Sequence, residues 1–96
     1  MDRLTRIQGE LDELRGRPAN VRYRELERIA KLLGRTLDTK RGRHLTFVNK
    51  DRNWNPLTIP SHPGALNKLT VRDILDQLED DLVSLQVEQG GYKDGR

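Results

Sequence analysis

The strongest constraint on the fold is a long stripe of apolar residues near the C-terminus. Its members recur at helical spacing: Val71, Ile74, Leu75, Leu78, Leu82 and Leu85. The pattern predicts a helix with Thr70 as N-cap and Asp73 as N3, and with acidic residues on its outer face. Such a helix must bury its stripe, so the rest of the chain has to supply a matching apolar surface.

Two shorter helices are predicted closer to the N-terminus. Residues 3–15 carry an apolar stripe of two heptads, formed by Leu4, Ile7, Leu11 and Leu14. Two heptads are marginal as an isolated helix in water, so this helix should dock on the domain or on another chain. A second helix is expected over residues 22–33, where Gly34 provides the C-terminal stop.

Three strands are predicted between the second and the last helix. Residues that favour pleated structure lie at 35–40, 43–48 and 57–59, and the polar residues 49–56 read as a hairpin loop. The expected fold is therefore α+β with two layers. Along the chain, an extra N-terminal helix is followed by a helix, a three-stranded antiparallel sheet and a last helix.

Length and composition allow one small domain. Only 33% of the 96 residues are hydrophobic, which limits the size of the core. We expect residues 1–17 to form an accessory helix, residues 18–87 the main domain, and residues 88–96 a disordered tail. The lack of cysteine excludes disulfides and fits a reducing cytoplasm, and no apolar run is long enough to span a membrane. We therefore expect a cytoplasmic protein with no membrane partner.

The charge is distributed unevenly along the chain. Residues 18–68 hold eleven basic and four acidic residues, a net charge of +7, whereas residues 69–96 hold three basic and seven acidic ones, a net charge of −4. A basic middle beside an acidic end suggests a surface for a polyanion such as RNA, because neutralising phosphates is the main source of nucleic-acid affinity. A solvated charged surface without a partner remains an equal alternative.

His44 is the candidate for chemistry. Along its strand, His44, Thr46 and Val48 share one face, and Leu45 and Phe47 form the opposite, core-like face. The neighbouring sequence is the densest basic cluster of the chain, with Lys40, Arg41 and Arg43 around Gly42. An imidazole between cations can act as acid or base on a phosphodiester, and the cations can stabilise the developing charge. An incidental strand histidine is the alternative.

Other residues have open roles. His62, between Ser61 and Pro63, could serve as a second acid or phosphate contact, or simply bond the backbone. Trp54 could stack on an unpaired base or fold back over the sheet. The second helix has a basic face that is either solvated or follows phosphates: Arg22, Arg24, Arg28 and Lys31. Two histidines eighteen positions apart, without cysteine, do not make a metal site, and no cofactor motif is present.

Three segments stand in a distinctive order. They are residues 40–47 (KRGRHLTF), residues 57–64 (LTIPSHPG) and residues 69–75 (LTVRDIL). In this order, between about Val21 and Leu82, the chain resembles the HicA family, the small mRNA-cleaving toxins of bacterial toxin–antitoxin pairs. The family's usual strand start, its segment with a proline and a histidine, and its helix start correspond to these three segments.

The resemblance implies a fold like that of a double-stranded-RNA-binding domain, metal-independent endoribonuclease activity and a HicB-type antitoxin as partner. The family's catalytic histidine corresponds to His44. We expect RNA contacts at Lys40, Arg41, Gly42, Arg43, Trp54 and His62. Arg43 departs from the pattern, since a small hydroxyl residue is usual there, and this departure puts activity in doubt.

The extra N-terminal helix lies outside the usual family domain and has three interpretations. It could form a homodimer, contact the antitoxin or extend the core. Two functions other than a toxin also remain open: a non-catalytic RNA-binding module, in which His44 is only a contact, and a protein-interaction domain that uses the acidic last helix and the N-terminal stripe.

Overall fold

The chain folds into three helices and one three-stranded sheet in a computed structural model that describes residues 2–90. The elements in order are α1 (Arg3–Arg15), α2 (Tyr23–Leu32), β1 (Thr36–Arg41), β2 (His44–Val48), β3 (Leu57–Pro60) and α3 (Lys68–Gly90). The predicted α+β fold class is confirmed. None of the helices within residues 2–90 is both long and apolar enough to cross a bilayer.

The sheet is antiparallel, and its spatial order β1–β2–β3 follows the chain. Directly opposed residues share a face, so the register separates the sheet into two sides. Leu45 pairs with Ile59 and Phe47 with Leu57, and all four side chains are buried. The helices pack on this inner face, as the alternation in β2 predicted.

The core is one cluster that includes α1. Leu4, Ile7, Leu11 and Leu14 are all buried in it together with the apolar residues of α2, the sheet and α3. Asp2 caps α1 by accepting a hydrogen bond of 2.8 Å from the Thr5 amide. The N-terminal stripe is thus buried within the chain, which supports the interpretation that α1 extends the core.

The start of α3 differs from the prediction. Asn67, not Thr70, is the cap: its side-chain oxygen accepts hydrogen bonds from the amides of Leu69 (2.8 Å) and Thr70 (3.3 Å). Thr70 therefore lies inside the helix. The sequence concealed this because asparagine and threonine are both favourable caps and only the path of the preceding loop decides between them.

The end of α3 also differs. The helix continues to Gly90, so residues 88–90 of the predicted tail are helical, and residues 91–96 lie outside the described residues. The physical reason is an ion pair between Glu88 and Arg52 of the 49–56 loop, with Arg52 Nε 2.8 Å from a Glu88 carboxylate oxygen. This contact holds the last turn against the body of the domain.

A buried ion pair joins the start of β1 to α3. Arg35 Nε and Nη2 donate to the two carboxylate oxygens of Asp81 at 2.6 and 3.0 Å, and the side chains are only 1% and 4% exposed. Arg35 Nη1 also donates to the carbonyl oxygens of Phe47 and Asn55, each at 3.0 Å. The Arg35 guanidinium further lies 5.4 Å from the Trp54 ring centroid. One arginine thus holds β1, the end of β2 and the following loop against α3.

We predict that breaking this pair destabilises the domain strongly. Asp81→Ala should lower the free energy of unfolding by about 3–5 kcal/mol, because Arg35 would remain buried without its counter-charge. Replacing both partners, as Arg35→Met with Asp81→Leu, should recover a large part of that loss. Urea unfolding followed by circular dichroism measures both variants.

Arg28→Ala is the matched control for the exposed case. Arg28 pairs with Glu10 on the surface, where its side chain is 61% exposed, so its removal should cost about 1 kcal/mol or less. Equal losses for Asp81→Ala and Arg28→Ala would contradict the structural role of the buried pair.

Candidate functional site

The sheet has one face that no helix covers. On this outer face the register brings together Arg41 with His44, Thr39 with Thr46, and Thr46 with Thr58. The hydroxyl oxygens of Thr46 and Thr58 are 3.3 Å apart, which shows that these side chains point the same way. The outer face is thus a polar surface with His44 and Arg41 at its hairpin end.

The hairpin that carries His44 is as short as a hairpin can ordinarily be. Arg41 and His44 are paired across the strands, so only Gly42 and Arg43 form the loop. Gly42 has φ +57° and Arg43 has no positive φ, as a type II′ turn requires. A side chain at position 42 would be strained in this conformation. Gly42 therefore contributes by fixing the register in which His44 faces Arg41.

His44 is exposed, and its imidazole has no hydrogen-bond partner within residues 2–90. Arg41, Arg43 and Lys40 are exposed too, and none of them has a carboxylate within 4.0 Å among those residues. Lys40 pairs with Leu45 and so belongs to the inner side of the sheet, beyond the edge of the core. The predicted cluster is present, with Arg41 alone directly opposite His44.

His62 lies close to this hairpin in the fold. Ser61 donates two hydrogen bonds to the carbonyl oxygen of Arg43, from its amide at 2.6 Å and from its hydroxyl at 3.1 Å. These bonds continue the β2–β3 pairing beyond Pro60, so the loop with His62 begins beside the hairpin. The Arg43 carbonyl oxygen accepts these bonds, and its side chain is exposed to solvent. Arginine can therefore replace a small residue at this position without disturbing the fold.

Trp54 is not part of this site. It is half-buried, lies near the Arg35 and Arg52 guanidinium groups, and donates from Nε1 to the Ser84 hydroxyl at 3.4 Å. The loop that carries it follows the opposite end of β2, about 13 Å along the strand from His44. The prediction of an RNA contact at Trp54 therefore receives no support, and folding back against α3 is what the structure shows.

Ion pairing divides most of the basic residues into two groups; Arg3, which donates to the Leu32 carbonyl oxygen, belongs to neither. Arg15, Arg17, Arg28, Lys31, Arg35 and Arg52 each have a carboxylate partner. Within residues 2–90, the cations with neither a carboxylate nor a carbonyl partner are Arg6, Arg22, Arg24, Lys40, Arg41, Arg43, Lys50, Lys68 and Arg72. Five of these flank the His44 hairpin or the loop of His62. The sequence alone could not make this division, because most of the pairing partners are distant in the chain.

No group of three histidine, cysteine, aspartate or glutamate side chains suited to a metal ion occurs in the part of the chain that the structure describes.

These features define a class: a small α+β domain whose sheet presents a histidine and unpaired cations on an uncovered face. A family model described as the HicA toxin of bacterial toxin–antitoxin systems matches residues 23–79, more than half of the chain. The chain therefore belongs to the HicA toxin family, as the resemblance predicted. The match begins at the first residue of α2, so α1 lies outside it. Searches of curated proteins and of solved structures find no match.

Proposed function

We propose that this protein is a toxin that cleaves mRNA, with His44 as the acid/base group. The observation that carries the proposal is the position of His44 in a HicA-family chain: exposed on the uncovered sheet face and directly opposite an unpaired arginine. A histidine without an internal partner is available to a substrate, and a neighbouring cation is what a phosphodiester reaction needs.

The proposed reaction uses the ribose 2′-hydroxyl of the RNA as nucleophile. Neutral His44 accepts the 2′ proton, the 2′-oxygen forms a bond to phosphorus, and the bond from phosphorus to the 5′-oxygen breaks. The leaving 5′-oxygen takes a proton from water, and His44 returns its proton to solvent. The products are a 2′,3′-cyclic phosphate and a 5′-hydroxyl end. Arg41 would bind the phosphate and stabilise its additional negative charge in the transition state.

The proposed partners follow from the same assignment. Members of this family belong to toxin–antitoxin pairs, and a HicB-type protein is the proposed antitoxin of this chain. The substrate would be cytoplasmic mRNA. The arginine at position 43 favours one alternative, an RNA-binding relative without cleavage activity, and the first experiment below separates the two.

We predict that His44→Ala lowers the rate of RNA cleavage by at least about a hundredfold, the usual contribution of an acid/base group. His44 is exposed, so the fold should not change. The measurement is cleavage of a labelled RNA by purified wild type and variant, with circular dichroism as the check on folding. Thr58→Ala, on the next row of the same face, is the matched control and should retain activity. Full activity of folded His44→Ala would remove His44 from the reaction.

We further predict that cleavage depends on the 2′-hydroxyl and not on a divalent metal. Digestion in excess chelator should proceed at the normal rate, and an RNA with a single 2′-deoxy residue at the cleaved position should resist. Mass spectrometry should find 2′,3′-cyclic phosphate ends. Loss of activity in chelator that magnesium or manganese restores would contradict the proposed chemistry.

A further prediction concerns the part of the surface on which RNA binds. Lys40→Glu with Arg41→Glu should weaken RNA binding almost independently of sequence and should flatten its salt dependence by about one to two phosphate contacts. Arg6→Glu with Lys50→Glu changes the same amount of charge on unpaired, exposed residues away from the hairpin. Titration of a short fluorescent RNA at several salt concentrations compares the pairs. A larger effect of the control pair would show that the site is misplaced.

A further inference from the structure

A cleft of about 390 Å³ lies between the first turn of α2 and the loop after β3. Arg22, Tyr23, Arg24 and Glu25 line one side, and residues 61–64, including His62, line the other. Its volume falls within the range of small-molecule pockets. Tyr23 is partly buried against the core and gives the cleft an apolar wall, while His62 is exposed.

The cleft is electropositive. Arg22 and Arg24 are exposed, and neither has a carboxylate partner in the part of the chain that the structure describes; Arg24 lies over the Tyr23 ring, 5.3 Å from its centroid. The acidic residue of the cleft, Glu25, is already engaged, since Arg17 Nη2 is 2.6 Å from its carboxylate and the Arg22 amide donates to it at 2.9 Å. Arg17 accordingly lowers the pKa of Glu25 and keeps it ionised and occupied.

The basic face of α2 therefore has two parts. Arg28 pairs with Glu10 and Lys31 with Glu27, so the positive charges in the C-terminal half of α2 are neutralised by carboxylates of the same chain. Arg22 and Arg24, at the start of the helix, keep their charge for an external group. Within the row Arg24, Arg28 and Lys31, only Arg24 is therefore without an ion-pair partner in residues 2–90.

The cleft is anchored to the proposed active site. The loop after β3 is bonded at one end to the His44 hairpin, through Ser61 and the Arg43 carbonyl. It is bonded at its other end to the segment before α2, where the Leu66 amide donates to the Val21 carbonyl at 2.9 Å. The same short loop thus separates His44 from the cleft and fixes their relative position.

We propose that this cleft binds nucleotides of a single-stranded RNA segment that continues beyond the phosphate at His44. Arg22 and Arg24 contact its phosphates, and His62 and Tyr23 contact a nucleotide. A single strand is favoured because an unpaired nucleotide can enter a concave site of this size, whereas the regular backbone of a duplex cannot. This inference rests on the proposed function and names the form of RNA that the site accepts.

The test is RNA binding by Arg22→Gln with Arg24→Gln. This double variant and the others below are made in the His44→Ala protein, so that the RNA is not cleaved during the measurement. Removing two phosphate contacts should weaken binding of a fluorescent single-stranded 12-mer about tenfold near 0.1 M salt and flatten the slope of log K against log salt by about 1.4. His62→Ala, a second variant, should weaken single-strand binding at about pH 8, where an ordinary imidazole is uncharged, without changing that slope.

Arg6→Gln with Lys50→Gln is the matched control. It removes the same charge from two exposed, unpaired cations outside the cleft, and it should change affinity by less than about twofold. A duplex of the same sequence should respond equally to both double variants. The proposal is overturned if the two double variants lose equal affinity for the single strand, or if the cleft variant loses more affinity for the duplex than for the single strand. It is also overturned if the cleft variant loses antitoxin binding and keeps its affinity for RNA.

Kinetics separate this inference from the proposed function. In the active protein, Arg22→Gln with Arg24→Gln should raise KM and leave kcat within about twofold, whereas His44→Ala lowers kcat. If the wild type binds RNA without cleaving it, and binding still depends on Arg22 and Arg24, the nuclease proposal fails and the cleft stands. If cleavage occurs and KM does not depend on these arginines, the nuclease stands and the cleft assignment fails.

Discussion

Arg35 and Asp81 form an ion pair inside the domain, and the position of the sheet against α3 depends on it. Burial raises the pKa of Asp81, while the hydrogen bonds from Arg35 oppose that shift and favour the carboxylate. Nη1 of Arg35 donates to the carbonyl oxygens of Phe47 in β2 and Asn55 in the following loop. No buried side-chain nitrogen or oxygen in residues 2–90 lacks a hydrogen-bond partner. Through these bonds the pair ties the start of β1, the end of β2 and the following loop to one position along α3.

The proposed function depends on the other side of the same sheet. Because the helices occupy only the inner face, His44 and Arg41 are left exposed on the outer one. The two-residue turn at Gly42 and Arg43 determines their pairing, and a slip of one residue would exchange the faces and bury the histidine. The core and the candidate site are consequently specified by one register.

The distribution of unpaired charge connects the candidate site to the cleft. Ion pairs neutralise much of the basic surface on α1, the middle of α2 and the 49–56 loop. Of the nine cations without partners in residues 2–90, five lie around the hairpin and the start of α2, which are joined by the loop from Ser61 to Leu66. A modest net charge of +3 therefore conceals a local surface suited to a polyanion.

The sequence by itself determined the number and order of the elements, the fold class and the face of His44, because apolar periodicity and alternation are local properties of each segment. It also carried the family resemblance that the match over residues 23–79 confirmed. Only the tertiary structure decided that Asn67 caps α3, that Trp54 packs on α3, that Asp81 is buried instead of lying on an acidic surface, and that Arg22 and Arg24 stay unpaired. These outcomes depend on partners up to 46 positions away in the chain, as in the pair of Arg35 and Asp81, and spacing within one segment contains no information about such partners.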